Sequence, residues 1–277
     1  ITKDNFKLRN YSMLAINLLF LGNVLWLDHL FLNGIEENFT LANWGKFSLA
    51  LHLEPMGMIF LNLIAALWLC ALLYTVKFLE INEIKNTNRF IFFVNACVMS
   101  GAIIALSANL LTMFIGYEVL TLCTIPLIAH QGGANTAKSL FKYLKILLLT
   151  SLALFLPAII IIYGKIGHGD FIAGGFIEGN FSNLQATILL LLFIFGIAKA
   201  AIYPFHSWLP TAMVASYPVS ALLHAVVVVK SGLFCIYKIL VYIFGLAYLH
   251  DLFAENNWII ALPIITMLYS SLQAIGS

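Results

Sequence analysis

Eight apolar stretches, each near the ~20 residues an α-helix needs to cross a bilayer core, follow one another along the chain. They cover residues 11–32, 55–79, 90–106, 110–128, 140–163, 184–212, 219–246 and 258–276, and charges or Gly/Pro clusters separate them. In hydrocarbon every backbone N–H and C=O must find its partner within the protein, which leaves only helices and closed barrels. A barrel requires ~10-residue segments of alternating polarity, and runs such as 188–195 and 221–230 do not alternate. The expected fold is all-α, a polytopic transmembrane bundle of eight spans in a single domain over residues 1–277. Composition agrees, since charged residues are only 9% of the chain against ~25% in soluble domains.

Several function classes drop out. A formal net charge of +2 without a basic block offers no footprint for nucleic acid. Cys70, Cys97, Cys123 and Cys235 are scattered through apolar runs without C-x-x-C spacing, so no iron-sulfur, zinc or disulfide framework is expected. Neither H-E-x-x-H nor G-x-x-x-x-G-K occurs; no metal and no cofactor site is expected. The first apolar run lacks a signal-peptidase site, and the chain opens on Ile1 rather than Met, which points to a missing beginning.

The connections carry their own expectations. Residues 33–54 hold two extended pieces around Asn43-Trp44-Gly45 and read as an external hairpin. The 164–183 connection, with six glycines, reads as flexible and external. Lys3, Lys7, Arg9, Lys85, Arg89 and Lys138 fall on one face, Lys46 and Lys165 on the other. The positive-inside rule makes the first face cytoplasmic. Glu36, Glu37, Asp170, Glu178, Asp251 and Glu255 share the second face but add little to orientation.

Two features interrupt this regular plan. In the sixth span Pro204 and Pro210 flank His206 and Trp208; each proline removes a backbone donor and crowds the preceding turn, so a broken helix is expected just after Lys199. Irregular backbone at membrane depth is tolerated only where protein packs it or water lines it. The second feature is charge. Glu118, Lys199 and Lys230 stand within apolar helices, where each costs ~2.5–3.5 kcal/mol on the mildest scale. A structural ion pair accounts for two of them and leaves a lysine over.

Burial disfavours a lysine's charged form and a nearby carboxylate favours it. A lysine whose carboxylate approaches and retreats therefore takes up and releases a proton. Glu118 with Lys199 is the candidate switched pair, and Lys230 the next station. His224 is a candidate relay or, equally, a hydrogen-bonded packing residue; it stands six positions before Lys230, about 600° of α-helical rotation, so the two point to different sides. Lys238, two turns beyond Lys230, suits an exit but is close enough to the span end to snorkel, which is the reading taken. Ser220 and His224 at i, i+4 imitate a protease dyad, yet small polar residues at that spacing more often serve helix packing.

Three segments carry a resemblance: Phe114-Ile115-Gly116-Tyr117-Glu118, Lys199 through Pro204-Phe205-His206-Ser207-Trp208-Leu209-Pro210, and Pro218-Val219-Ser220-Ala221-Leu222-Leu223-His224-Ala225 through Lys230-Ser231-Gly232. They resemble the proton-translocating antiporter-like membrane subunits of respiratory complex I, Mrp-type Na+/H+ antiporters and membrane-bound hydrogenases. The wording around 212–215 and 224–230 looks closest to the Mrp-type branch. The resemblance implies that Glu118 and Lys199 match the family's coupled pair, His224 its histidine on the next helix, and Lys230 its central lysine. Lys142 resembles the lysine opening the following helix; with His206 and Lys238 it is an accessory candidate. The resemblance also implies a fold of about fourteen helices in two half-channels, of which this chain runs from the second helix to the ninth.

The function expected is proton translocation within a multisubunit complex of a bacterial plasma membrane. Its expected partners are other membrane subunits, and the transported ion is H+ alone or H+ exchanged for Na+. Any NADH:quinone oxidoreductase activity would belong to the complex. The alternatives are Na+/H+ antiport within an Mrp-type assembly and a purely structural, non-transporting role.

Overall fold

The computed structural model describes residues 3–35, 38–82, 84, 86–254 and 258–275. Glu36, Glu37, Lys85 and Glu255, used above for the loop charges, lie outside the described residues, as do the side chains of Lys3, Lys7 and Arg9. The chain is a helical membrane bundle. It runs through α1 (Lys3–Leu32), a hairpin of β1 (Asn38–Trp44) and β2 (Phe47–His52), α2 (Pro55–Ile81), α3 (Thr87–Ala105) and α4 (Leu110–Ile128). Then come α5 (Ala134–Thr150), a π-helical turn, and α6 (Leu156–Lys165) as one continuous rod. The rest is α7 (Asn183–Gly196), α8 (Trp208–Ala212), α9 (Tyr217–Ala221), α10 (Val228–Ile239), α11 (Leu246–Leu252) and α12 (Trp258–Ile275).

Among the described residues six helical segments are long and apolar enough to cross a membrane. The two shorter apolar helices, Asn183–Gly196 and Ile259–Ile275, fall where the sixth and eighth spans were expected. The protein is thus a multi-pass membrane protein. α3, α4 and α10 contribute much of the core, with Cys97, Ile104, Met113, Tyr117, Leu120 and Cys235 fully enclosed. All four cysteines are free. α1 packs on the bundle through Met13 and Val24 and through polar contacts to α2. Trp68 donates its indole N–H to Asn17 Oδ1, and Asn62 donates to Asp28 Oδ1 at 2.7 Å.

The expected hairpin is present. β1 and β2 pair antiparallel from Asn38↔His52 to Trp44↔Phe47, with a bulge between Thr40 and Ala42. It extends into the α3–α4 connection, since His52 N–H donates to Leu106 O (2.7 Å) and Ala108 N–H to Ala50 O (2.9 Å). Asn109 caps α4 by accepting from Thr112 N–H (2.8 Å) while its amide donates to Ser48 O (3.0 Å).

The 164–183 connection departs from expectation, because its backbone is pinned rather than loose. Leu110 N–H donates to Gly169 O (2.9 Å), Phe171 N–H to Ala108 O (3.0 Å) and Phe176 N–H to Ile243 O (3.0 Å), while Ile177 is fully buried. Its glycines permit close packing: Gly245, at φ +81°, lies against the Gly174 backbone with no room for a Cβ. An extended connection at a bundle end would otherwise bury unpaired peptide groups.

Candidate functional site

The break in the sixth span begins before its prolines. α7 opens on a capping box in which Ser182 and Gln185 bond reciprocally, and it ends at Gly196. Ile197 leaves helical geometry (ψ 59°), Ala198–Ala200 form a 3₁₀ turn, and Ala201 is left-handed at φ +55°. Lys199 therefore lies inside the break, a correction to its expected place just ahead of it. A left-handed non-glycine residue costs on the order of 1 kcal/mol and persists only where its surroundings impose it. Here the Ala198 carbonyl accepts from both Ala201 N–H (2.9 Å) and Trp208 Nε1–H (2.8 Å), and Tyr117 Oη accepts from Lys199 N–H (3.2 Å). On the other flank Gly232 packs so tightly that a Cβ there would stand 2.6 Å from the Lys199 carbonyl carbon.

The Lys199 side chain is fully buried. Its ammonium donates to Tyr117 O (2.7 Å) and Thr121 Oγ1 (2.6 Å) and lies 3.1 Å from the centre of the Tyr117 ring. The polar contacts continue along α4. Thr124 Oγ1 donates to Thr121 O (2.6 Å) and shares a 2.7 Å hydrogen bond with Tyr143 Oη of α5. Glu118, half-buried one position from Tyr117, has a buried Oε1 without a hydrogen-bond partner. Glu118 and Lys199 are thus neighbours in the site that do not touch.

His224 lies in a π-helical turn, Leu222–Val226, and Val227 (φ −124°, ψ −58°) interrupts the helix before α10. The α-helical phase assumed between His224 and Lys230 therefore does not hold. Among the described residues the buried Nε2 of His224 and the buried Nδ1 of His206 have no hydrogen-bond partner. Both histidines line a cavity of about 440 Å³ between the broken span and α12, with Ala201, Pro210, Ser270 and Gln273. Lys230 is half-buried on the first turn of α10. Lys142 is exposed on α5, unlike its neighbour Tyr143.

Lys238 does not snorkel, contrary to the expectation from its position. It is fully buried, with Nζ 2.6 Å from Glu54 Oε1 and 2.5 Å from Ser107 O. Position along a helix measures depth, not the company a side chain keeps; here Glu54, the Ser107 carbonyl and the Phe171 ring gather round the ammonium. Glu54, a buried acid, escaped the sequence reading because it directly precedes Pro55 at a span edge. Tyr117, Thr121 and Tyr143 were also missed. The signal available for them was hydroxyl-bearing side chains at helical spacing in apolar runs.

Known proteins resemble this chain in both sequence and fold. Residues 107–277 match the family model described as NADH:quinone oxidoreductase/Mrp antiporter, TM. NADH-quinone oxidoreductase subunit L of Buchnera aphidicola subsp. Schizaphis graminum is 27% identical over 248 residues, covering 82% of this chain and 39% of the relative. The putative antiporter subunit mnhA2 of Staphylococcus haemolyticus is 28% identical over 195 residues, covering 69% and 24%. In the Mrp complex from Dietzia sp. DQ12-45-1b a chain superposes with a TM-score of 0.71 at 20% identity, covering 83% of this chain and 25% of that one. A chain of the membrane-bound sulfane sulfur reductase, an archaeal respiratory membrane complex, gives 0.72 at 20% identity, covering 83% and 47%. This chain spans about two fifths or less of the length of these curated relatives. The match extends over more than half of the sequence and contains the Lys199 break, His224 and Lys230, so the chain belongs to the NADH:quinone oxidoreductase/Mrp antiporter transmembrane family.

Proposed function

We propose that this chain carries protons through the membrane as one component of a multisubunit complex, with Lys199 as the group that takes up and releases each proton. The observation that carries the proposal is the Lys199 ammonium itself, enclosed in a helix break and held by one carbonyl and one hydroxyl, with Glu118 next to Tyr117 on α4 and its buried Oε1 without a hydrogen-bond partner among the described residues. An ionisable residue inside a membrane is by default a functional candidate, and proton relays are one of its uses.

In the proposed cycle Lys199 alternates between Tyr117 O with Thr121 Oγ1 and the Glu118 carboxylate. Near Glu118 the ammonium form is favoured; away from it the proton leaves. The proton passes through water to Lys230, with His224 as relay and His206 on the same cavity wall. Water is the natural partner for the buried nitrogens of these histidines, since buried polar groups are rarely left unpaired. The partners are other membrane subunits of the complex, and the membrane is a bacterial plasma membrane. No cofactor enters the step.

Lys199→Ala or Glu118→Ala should abolish ΔpH-linked transport in vesicles from cells carrying the assembled complex; unchanged transport in both variants overturns the mechanism. Similarity to a putative antiporter subunit supports a second reading, Na+/H+ exchange. A deletion strain that grows poorly in high sodium favours exchange, and one with normal salt tolerance favours respiratory pumping. Full pumping by an intact complex carrying Lys230→Met points to a structural role instead.

A further inference from the structure

We propose that the outer face of α5 binds an anionic phospholipid of the surrounding bilayer, independently of the transport reading. Lys138, Lys142 and Lys145 stand at i, i+4 and i+7, within roughly a 60° sector of the helix, and all three are exposed. No acidic residue occupies the first turn of α5, so the positive end of the helix dipole adds to their charge instead of being offset. Among the described residues none of the three lysines forms an ion pair.

At ~1.5 Å rise per residue Lys142 and Lys145 stand about 6 and 10 Å along the axis from Lys138, and all three lean toward the amino terminus. An apolar surface starts among them and continues past them. Phe141, Leu144, Leu148 and Leu152 line, together with Lys145, an open trough of about 570 Å³. Positive charge toward the amino-terminal end of an otherwise apolar trough matches an amphiphile with an anionic head and an acyl tail. A polar protein segment fits the lysines but not the trough. The positive-inside expectation, to which Lys138 itself contributes, puts this end on the cytoplasmic face, whose leaflet carries a negative surface potential.

Three lysines distinguish net-anionic from zwitterionic headgroups by roughly fivefold each, the strength of one basic residue near a charged membrane surface. The test uses the whole chain, purified in detergent, mixed with equal amounts of phosphatidylglycerol and phosphatidylcholine, washed, and assayed for retained lipid by mass spectrometry. Wild type should retain phosphatidylglycerol preferentially. Each of Lys138→Gln, Lys142→Gln and Lys145→Gln should cut that enrichment roughly fivefold, and arginine at all three positions should preserve it.

These positions are exposed, so the single variants should elute from size exclusion like wild type. Equal retention of both lipids by wild type, or unchanged enrichment in the Gln variants, overturns the proposal. A photo-crosslinker at position 142 in native membranes supplies a second readout. Capture of phospholipid supports the site, whereas capture of a protein segment assigns the face to a protein interface and overturns it.

Discussion

At the scale of single residues, the Glu54–Lys238 pair and Lys199 represent two ways of keeping a charge out of water. Lys238 meets an opposite charge with both side chains almost wholly enclosed (0% and 5% exposed). Removing one partner of such a pair strands the other and typically costs about 3–5 kcal/mol, while replacing both with apolar groups is often neutral. Glu54→Gln should therefore lower the melting temperature in detergent sharply, and adding Lys238→Met to Glu54→Leu should restore most of it. If single and double variants melt alike, the pair is not what holds this end together. Lys199 is held by dipoles and a ring, an arrangement that leaves it sensitive to the neighbouring Glu118 carboxylate. The sequence singled out Lys199 and Glu118 because apolar neighbours on both sides betray their depth. It could not tell that Lys199 faces Tyr117 and Thr121 instead of Glu118, since those two faces of α4 differ by one residue of rotation.

Among the elements, the broken sixth span is the one whose geometry matters most to the site. Pro204 and Pro210 announced an interruption, but the helix gives way earlier, where Gly196 and Ile197 end it and Gly232 of α10 presses on Lys199. Tertiary contact moves the break, and contact is invisible to local sequence rules. Gly232→Ala must push the Lys199 backbone aside; overpacking of this kind costs typically about 1–3 kcal/mol. The variant should still insert and assemble, yet lose transport out of proportion to its loss of thermal stability. Unchanged transport with reduced stability would limit Gly232 to packing. The 164–183 connection teaches the complementary lesson. Its glycines suggested looseness, whereas Gly174 and Gly245 serve the close approach of two backbones.

For the molecule as a whole, the apolar runs of the sequence become helices because hydrocarbon admits so few alternatives. Their order and rough limits were therefore readable from residue types alone. Which passages form the core was not: α1 has 11% of its most apolar window buried and the rod 217–244 has 61%, although both are strongly apolar. At one end of the bundle β2, the α3–α4 connection, the 164–183 connection and the end of the seventh span share backbone hydrogen bonds. At the opposite end α4 passes to α5 through a short turn over 129–133. Backbone amides of His52, Ala108, Phe171 and Phe176 should accordingly exchange with deuterium far more slowly than those of 129–133, and equal rates would contradict that contrast. On that contrast the bundle should behave as a cantilever, clamped where four stretches of chain are tied together, and transient solvent entry should come from the α4–α5 end rather than from the Glu54–Lys238 end.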